Sequence, residues 1–457
     1  MAKSTAFFFL LLYRLVLLLV FSGLFPVLLY RRWRHGKYRE SLPGMLGRRL
    51  GEVDRTKFSN GSLWLHAVSV GEVVAARAVA DRLRAIYPHL PLVVSTTTET
   101  GQTHARRLFN NSDATITFYP LDWPGIVARF HDTFQPRVVI LLEAEIWPAF
   151  LIECQRRDVH VAMVNGRLSD RSYRRHRMAS VVMRGILSKI DLFCMQTPDD
   201  AARMQRLIGR SEHIHAIGNV KFDHLPGPLT QEDRQTLSLE LGLPPESKAI
   251  LFGSTHASEE EIALEAWQAW RRAGFTHTLM ICPRHPERFE AVARMLGEAR
   301  LPDGTAPRVL RASAIKPSST PQPASAPEII LLDRMGVLAR AFGLSQLAFL
   351  GGSYLPNVGG HNLLEPASHG IPVLCGPYMH SQKEIVRLMG ASGAYHPVSR
   401  HELPARIVEL LGNHVLAADL GQRGRLAAEA NRGASERFAS LLAQSIPLPT
   451  QHPGGHS

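Results

Sequence analysis

Glu72 closes the stretch His66-Ala-Val-Ser-Val-Gly-Glu72, which follows the apolar run Leu63-Trp64-Leu65 and opens a helical pattern expected to begin at Val73. A carboxylate where a strand turns into a helix stands at the carboxyl edge of an open α/β sheet, where ligands bind, and Gly71 eases the turn. The chemistry on offer is general base catalysis. An acid in a first helical turn is also favoured by the helix dipole with no chemistry involved, so position alone leaves both roles open. Two more carboxylates, Glu143 and Glu145, follow the run Val138-Val139-Ile140-Leu141-Leu142. At a sheet edge they must be solvated, paired or used, and one of them is expected to share a proton network with Glu72. Arg167 after the next strand and Lys221 after the last can bring positive charge to the same edge.

A second set of residues suits a phosphate. Gly351-Gly352-Ser353-Tyr354 leads through Gly359-Gly360-His361-Asn362-Leu363-Leu364-Glu365-Pro366, and glycines before a helix let backbone N–H groups approach an anion. Glu365 can accept from ribose hydroxyls. Asn362-x-x-Glu365 is equally a capping box, which needs no ligand. Arg284, in Cys282-Pro283-Arg284-His285-Pro286, follows a strand and precedes a helix, where it can fork onto phosphate or pair with a surface acid. The hydroxyls of Ser254 and Thr255 are expected to cap the acidic helix that comes after them.

These residues require a sheet edge to stand on, and the chain supplies two. Strand-like runs at 62–70, 92–96, 138–142, 160–164, 192–195 and 215–218 alternate with helical stretches such as 73–87 and 198–208. After Pro226-Gly227-Pro228 the rhythm restarts, with strands at 249–253, 278–282, 328–332, 347–349 and 371–375. The expected fold is α/β, two doubly wound Rossmann-like domains facing across a cleft, over residues 50–225 and 229–440. A Pro- and Ser-rich stretch, 316–327, reads as a loop insertion.

The chain has 457 residues and a formal charge of +12, of which a net +8 lies in residues 1–50, where nine Lys and Arg meet one acid, Glu40. The run 6–30 is apolar apart from Arg14 and a few small or polar residues, and at 25 residues it is long enough to cross a bilayer. The basic cluster directly after it holds the α/β domains on the cytoplasmic side. The expectation is an N-terminal membrane anchor within 1–35, spanning or lying in the interface, rather than a cleaved signal. A basic amphipathic stretch at 167–189 suits anionic lipid. An anionic membrane surface, not nucleic acid, is therefore the expected macroscopic partner of the positive charge. Four scattered cysteines read as reduced core residues, neither disulfide frame nor zinc site. Neither H-E-x-x-H, G-x-x-x-x-G-K-[ST] nor a metal-holding Asp-x-Asp occurs, so kinase and zinc hydrolase readings lose ground and no metal is expected.

Taken together and in order, the motifs resemble one family, the 3-deoxy-D-manno-oct-2-ulosonic acid (Kdo) transferases of lipopolysaccharide assembly. The resemblance spans nearly the whole chain. It rests on His66 to Glu72, Glu143-Ala-Glu-Ile-Trp-Pro148, Asn165-Gly-Arg-Leu-Ser169, Gly218-Asn-Val-Lys-Phe-Asp223, Ser254-Thr-His256, Pro283-Arg-His-Pro-Glu-Arg-Phe289, Met335-Gly336 and Gly359-Gly-His-Asn-Leu-Leu-Glu-Pro366. It implies a GT-B fold, CMP-Kdo as donor, lipid IVA as acceptor, inversion at the anomeric carbon, no metal or cofactor, and residence at the cytoplasmic face of the inner membrane. By the same resemblance Glu72 is the general base, Glu143 stabilises the transition state and Lys221 joins that site. CMP contacts fall on Pro283, Arg284, Met335, Gly336, Val337, Asn362, Leu363, Leu364 and Glu365. Val337 stands where relatives carry an acid, so its contact is expected through backbone. Two other readings share these residues. One is a GT-B transferase or epimerase using a UDP-sugar, and the other is a non-catalytic membrane protein that binds anionic lipid.

Overall fold

The computed structural model describes residue 23 and residues 39–110, 112–143, 145–244, 246–315 and 325–446. The expected anchor lies outside the described residues but for Gly23, and so does most of the 316–327 loop. Among the described residues no helix is long and apolar enough to cross a membrane.

The chain forms two compact units. The described residues of the first form seven strands, β1 Ser62–His66, β2 Leu92–Thr96, β3 Thr115–Phe118, β4 Pro136–Leu142, β5 His160–Gly166, β6 Leu192–Met195 and β7 Ile214–Ala216. All pair in parallel in the order β3-β2-β1-β4-β5-β6-β7. Parallel sheets are covered on both faces, which is why the central strands read as unbroken apolar runs; every residue of β1 is buried. Alternation still sorts the side chains. Leu63 and Leu65 join one core with Val73, Ala76 and Leu83 of the helix Val70–Ile86. Trp64 points the other way, its ring 5.3 Å from Phe150 and 5.4 Å from Phe134. Those two phenylalanines ride on the helices Pro148–Arg156 and Pro124–Phe134.

The second unit, residues 225–430, holds β8 Ala249–Thr255, β9 Thr278–Pro283, β10 Val309–Arg311, β11 Ile329–Leu331, β12 Ser345–Leu350 and β13 Val373–Cys375. Its order is β10-β11-β9-β8-β12-β13, again all parallel. The architecture is two doubly wound α/β units, as expected for the GT-B class.

Several expectations shift. The first long helix begins at Val70, not Val73, because Ser69 caps it and accepts from the Glu72 N–H. The short strands β3 and β10 carry too few apolar residues to show in the pattern. The range 229–440 overshoots the second unit, since residues from Asn431 onward belong to the first. There Phe438 and Leu442 of the helix Ala434–Ser445 pack into the core around Leu63 and Leu65. All four cysteines are free and buried.

Candidate active site

In a doubly wound sheet the ligand crevice opens where neighbouring strands run off in opposite chain directions. In the first unit that point lies between β1 and β4. Glu72 follows β1 and Glu143 follows β4, so the topology itself brings them to one crevice.

Glu72 is 7% exposed. Its Oε2 accepts from the Val68 N–H at 2.8 Å and its Oε1 from the Ser69 hydroxyl at 2.8 Å, while its own N–H donates to Ser69 Oγ at 3.4 Å. The carboxylate is thus locked in a reciprocal cap at the helix start. Cap and base are compatible: the hydrogen bonds fix the rotamer, and an incoming hydroxyl can exchange with Ser69.

Glu143 adopts φ +61°, a left-handed conformation that non-glycine residues adopt rarely. Its Oε1 accepts from Lys221 Nζ at 2.5 Å, an ion pair about one-third exposed on each side. Asn165, at the end of β5, is also left-handed at φ +60° and fully buried. Its Oδ1 accepts from the Val220 N–H at 3.1 Å and so sets the turn that carries Lys221. The carboxyl pushed up by its surroundings is Glu145, through burial and through the charges of Glu72 and Glu143, with Trp147 Nε1 donating to it at 3.0 Å in opposition. Glu72, Glu143, Glu145 and Lys221 therefore form one electrostatic cluster.

The switch point of the second unit lies between β8 and β12, and the loops after β8, β9 and β12 carry the expected phosphate residues. Here the glycines have another reason. A Cβ on Gly351 would stand 2.4 Å from the Ser254 carbonyl oxygen and 2.7 Å from Glu259 Oε2, so this glycine admits the neighbouring loop. Buried Glu259 accepts from the N–H groups of His256 at 3.0 Å, Gly352 at 2.7 Å and Tyr354 at 3.2 Å. Those donors are closed on protein. The Thr255 hydroxyl does not cap the next helix either; it donates to Glu260 at 3.1 Å, which Arg288 also grips at 2.9 Å. The three-acid run Glu259 to Glu261 reads in sequence as a helix start, and only the fold shows two of its members to be buried anchors.

What remains available is informative. Arg284 is exposed and its guanidinium has no acidic partner among the described residues. Pro283 ends β9 and is buried. The N–H groups of His361, Asn362 and Leu363 donate to no described residue. Asn362 Oδ1 accepts from the Leu364 N–H at 3.0 Å, yet Glu365 does not reach back, so the capping box is half made. The helix there, Leu364–Ala367, is a single turn, and the helix-dipole contribution expected at Asn362 shrinks accordingly. Leu363 and Leu364 are buried. Glu365 is half-buried, with a carboxyl raised by burial. Such a carboxyl has acceptor capacity that ligand hydroxyls can fill. Met335 is 66% exposed, Gly336 is left-handed at φ +82°, and Val337 is buried, which leaves only its backbone to a ligand.

Solved structures of similar fold include the UDP-GlcNAc 2-epimerase from Neisseria meningitidis bound to UDP-GlcNAc, with TM-score 0.57 and 12% identity over 84% of this chain and 100% of that one. A glycosyltransferase from Rickettsia africae superposes with TM-score 0.52 and 12% identity over 85% of this chain and 100% of that one. Two parallel, doubly wound sheets with this likeness define the fold as that of the GT-B class. A family model described as 3-deoxy-D-manno-octulosonic-acid transferase (kdotransferase) matches residues 44–224. The 3-deoxy-D-manno-octulosonic acid transferase of Haemophilus influenzae is 32% identical over 386 residues, 83% of this chain and 86% of that protein. The Chlamydia pneumoniae transferase of the same name is 29% identical over 441 residues, covering 95% and 96%. The chain belongs to the 3-deoxy-D-manno-octulosonic acid transferase family.

Proposed function

We propose that this enzyme moves Kdo from CMP-Kdo to lipid IVA with inversion and without a metal or cofactor. The observation that carries the reading is the placement of Glu72 at the switch point of the first sheet, beside the Glu143–Lys221 pair. In the proposed reaction an acceptor hydroxyl attacks the anomeric carbon of Kdo and gives its proton to Glu72. The bond from that carbon to the phosphate oxygen breaks, and its electron pair leaves with CMP as a phosphate monoester. Lys221, held by Glu143, is positioned to offset charge that develops near the base. In the second unit Arg284 and the N–H groups of His361, Asn362 and Leu363 hold the phosphate, Glu365 takes ribose hydroxyls, and Met335, Gly336 and Val337 line the nucleotide.

The same reading places the enzyme at the cytoplasmic face of the inner membrane. Supporting it are Met178, 86% exposed, and Val181, 77% exposed, beside exposed Arg174, Arg175 and Arg177 on the helices Asp170–Met178 and Ser180–Leu187. Apolar tips among cations suit an anionic headgroup layer, at about 1 kcal/mol per basic residue.

The test incubates purified enzyme with CMP-Kdo and lipid IVA and weighs the lipid. The expected result is a mass gain of one or more Kdo for the wild type and none for Glu72→Ala, with CMP binding retained in both. Turnover by Glu72→Ala at the wild-type rate removes the base assignment, and a binding preference for UDP over CMP removes the donor.

A further inference from the structure

His256 and His361 lie 105 residues apart in the chain, yet their Nε2 atoms are 3.0 Å apart. The two rings are nearly parallel, at 7°, and a third imidazole, His285, stands 5.3 Å from His256. His256 belongs to the loop after β8 and His361 to the loop after β12, the two strands that bound the switch point, so the pair bridges the crevice of the second unit. Two Nε2 atoms at that distance share one proton: one ring donates and the other accepts.

The surroundings make a second proton costly. Arg284, Arg288 and His285 act on His256; His256, Arg284 and His285 act on His361. Burial is the larger cause in each case, and His361 is pushed down to about 4. The carboxylates nearest in the chain do not offset this. Glu259 accepts three backbone N–H groups and Glu260 is paired with Arg288 and Thr255. Among the described residues no three His, Cys, Asp or Glu side chains are placed to hold a metal ion. The pair is therefore held neutral, with one proton between the two Nε2 atoms, within the positive field of Arg284 and Arg288, and the Arg284 guanidinium has no acidic partner among the described residues.

We propose that His256 and His361 act as a phosphate clamp that takes up a proton when the nucleotide monophosphate binds, each ring then donating from Nε2 to a phosphate oxygen. The inference rests on the proposed donor reading. A phosphate dianion supplies the negative charge that offsets the second proton, and the mutual ring–ring bond is exchanged for two charge-assisted bonds to oxygen. A diester donor carries one negative charge on its phosphate, whereas the monoester leaving group approaches two. The clamp thus favours the departing group over the intact donor, and the pair is a positioning and charge-matching device for bond cleavage.

The test is titration calorimetry of the full chain with CMP and with cytidine at pH 7.5 in HEPES and in Tris, whose ionisation heats differ. Expected is net uptake of roughly half to one proton with CMP and none with cytidine. In His256→Asn and in His361→Asn the uptake vanishes and CMP binds about tenfold more weakly, while cytidine affinity stays within about twofold. Thermal unfolding verifies that each variant is folded, and the wild-type measurement needs no variant. Binding of CMP without uptake, or uptake that persists in both variants, overturns the clamp and leaves the donor reading standing. UMP binding in place of CMP with the same uptake keeps the clamp and overturns the donor reading. Failure of both nucleotides to bind overturns both.

Discussion

Glu72 meets a structural demand in the helix cap and, in the proposed reaction, a chemical one with the same carboxylate, and substitution separates them. In Ser69→Ala the helix loses its cap, at a cost of about 1 kcal/mol, and Glu72 loses the partner that fixes Oε1. A fall in kcat with little change in KM is expected. Glu72→Gln keeps the shape but not the basicity, and transfer should drop by about 10²- to 10⁴-fold with the melting temperature nearly unchanged. Lys221→Met tests the neighbouring ion pair. Because Lys221 and Glu143 are each partly exposed, solvent screens them and stability should change by less than about 1 kcal/mol, while turnover falls much further. A loss of stability as large as the loss of turnover sinks the assignment. Glu145 reports on the cluster's field. Its carboxyl is raised in the folded state, so it is more readily protonated there than in the unfolded chain. Its ionisation therefore opposes folding as pH rises above the ordinary carboxyl range. Glu145→Gln is expected to raise the melting temperature at pH 8 and to do so less at pH 4.5; equal gains at both would show that charge is not the cause.

At the scale of elements, two loops are set by residues whose purpose lies elsewhere in the chain. Asn165 holds the Val220 N–H from the end of β5, and that bond is what aims the turn Val220–His224 and Lys221 upon it. Asp223 on the same turn accepts from the N–H groups of Gly433 at 2.6 Å, Ala434 at 3.2 Å and Ser435 at 2.6 Å, capping the last helix. Asp223→Ala leaves three helix-start donors without that acceptor and should cost about 1–2 kcal/mol. The expected observation is earlier proteolytic release of the segment Ala434–Ser445, whose Phe438 and Leu442 otherwise sit in the core of the first unit. An unchanged cleavage pattern would falsify the capping role.

For the whole molecule, pH is the lever. His66, stacked 3.8 Å from Tyr119, and His131 are held low by burial, at about 3 and about 4, and both lie in the first unit. His361, at about 4, does the same in the second. Each is neutral when folded, whereas the unfolded chain binds a proton below about 6.5. Stability is thus intact above pH 6.5 and is lost as pH falls toward 4, by about 1.4 kcal/mol per pH unit for each histidine. Acid unfolding of His131→Gln followed by circular dichroism should show a slope shallower by about one proton between pH 6 and 5. An identical slope would exclude His131 as a contributor.

Local pattern was enough for much of this architecture. Alternating and continuous apolar runs such as Leu63-Trp64-Leu65 and Val138 to Leu142 mark parallel strands, because burial on both faces must be written into neighbouring residues. It was also enough to place Glu72 at a strand-to-helix turn and Arg284 after another strand. Pattern could not order the strands, since pairing joins residues far apart, and the order is what puts Glu143 beside the Glu72 crevice and Lys221, 78 residues on, against Glu143. It could not tell the glycine that admits a neighbour, Gly351, from one that cradles a ligand, because a missing Cβ looks the same in both. Nor could it return the helix Ala434–Ser445 to the first unit or join His256 to His361. The residues proposed for the chemistry are named by the chain; which of them meet is decided by long-range sheet pairing and by the cores that hold it.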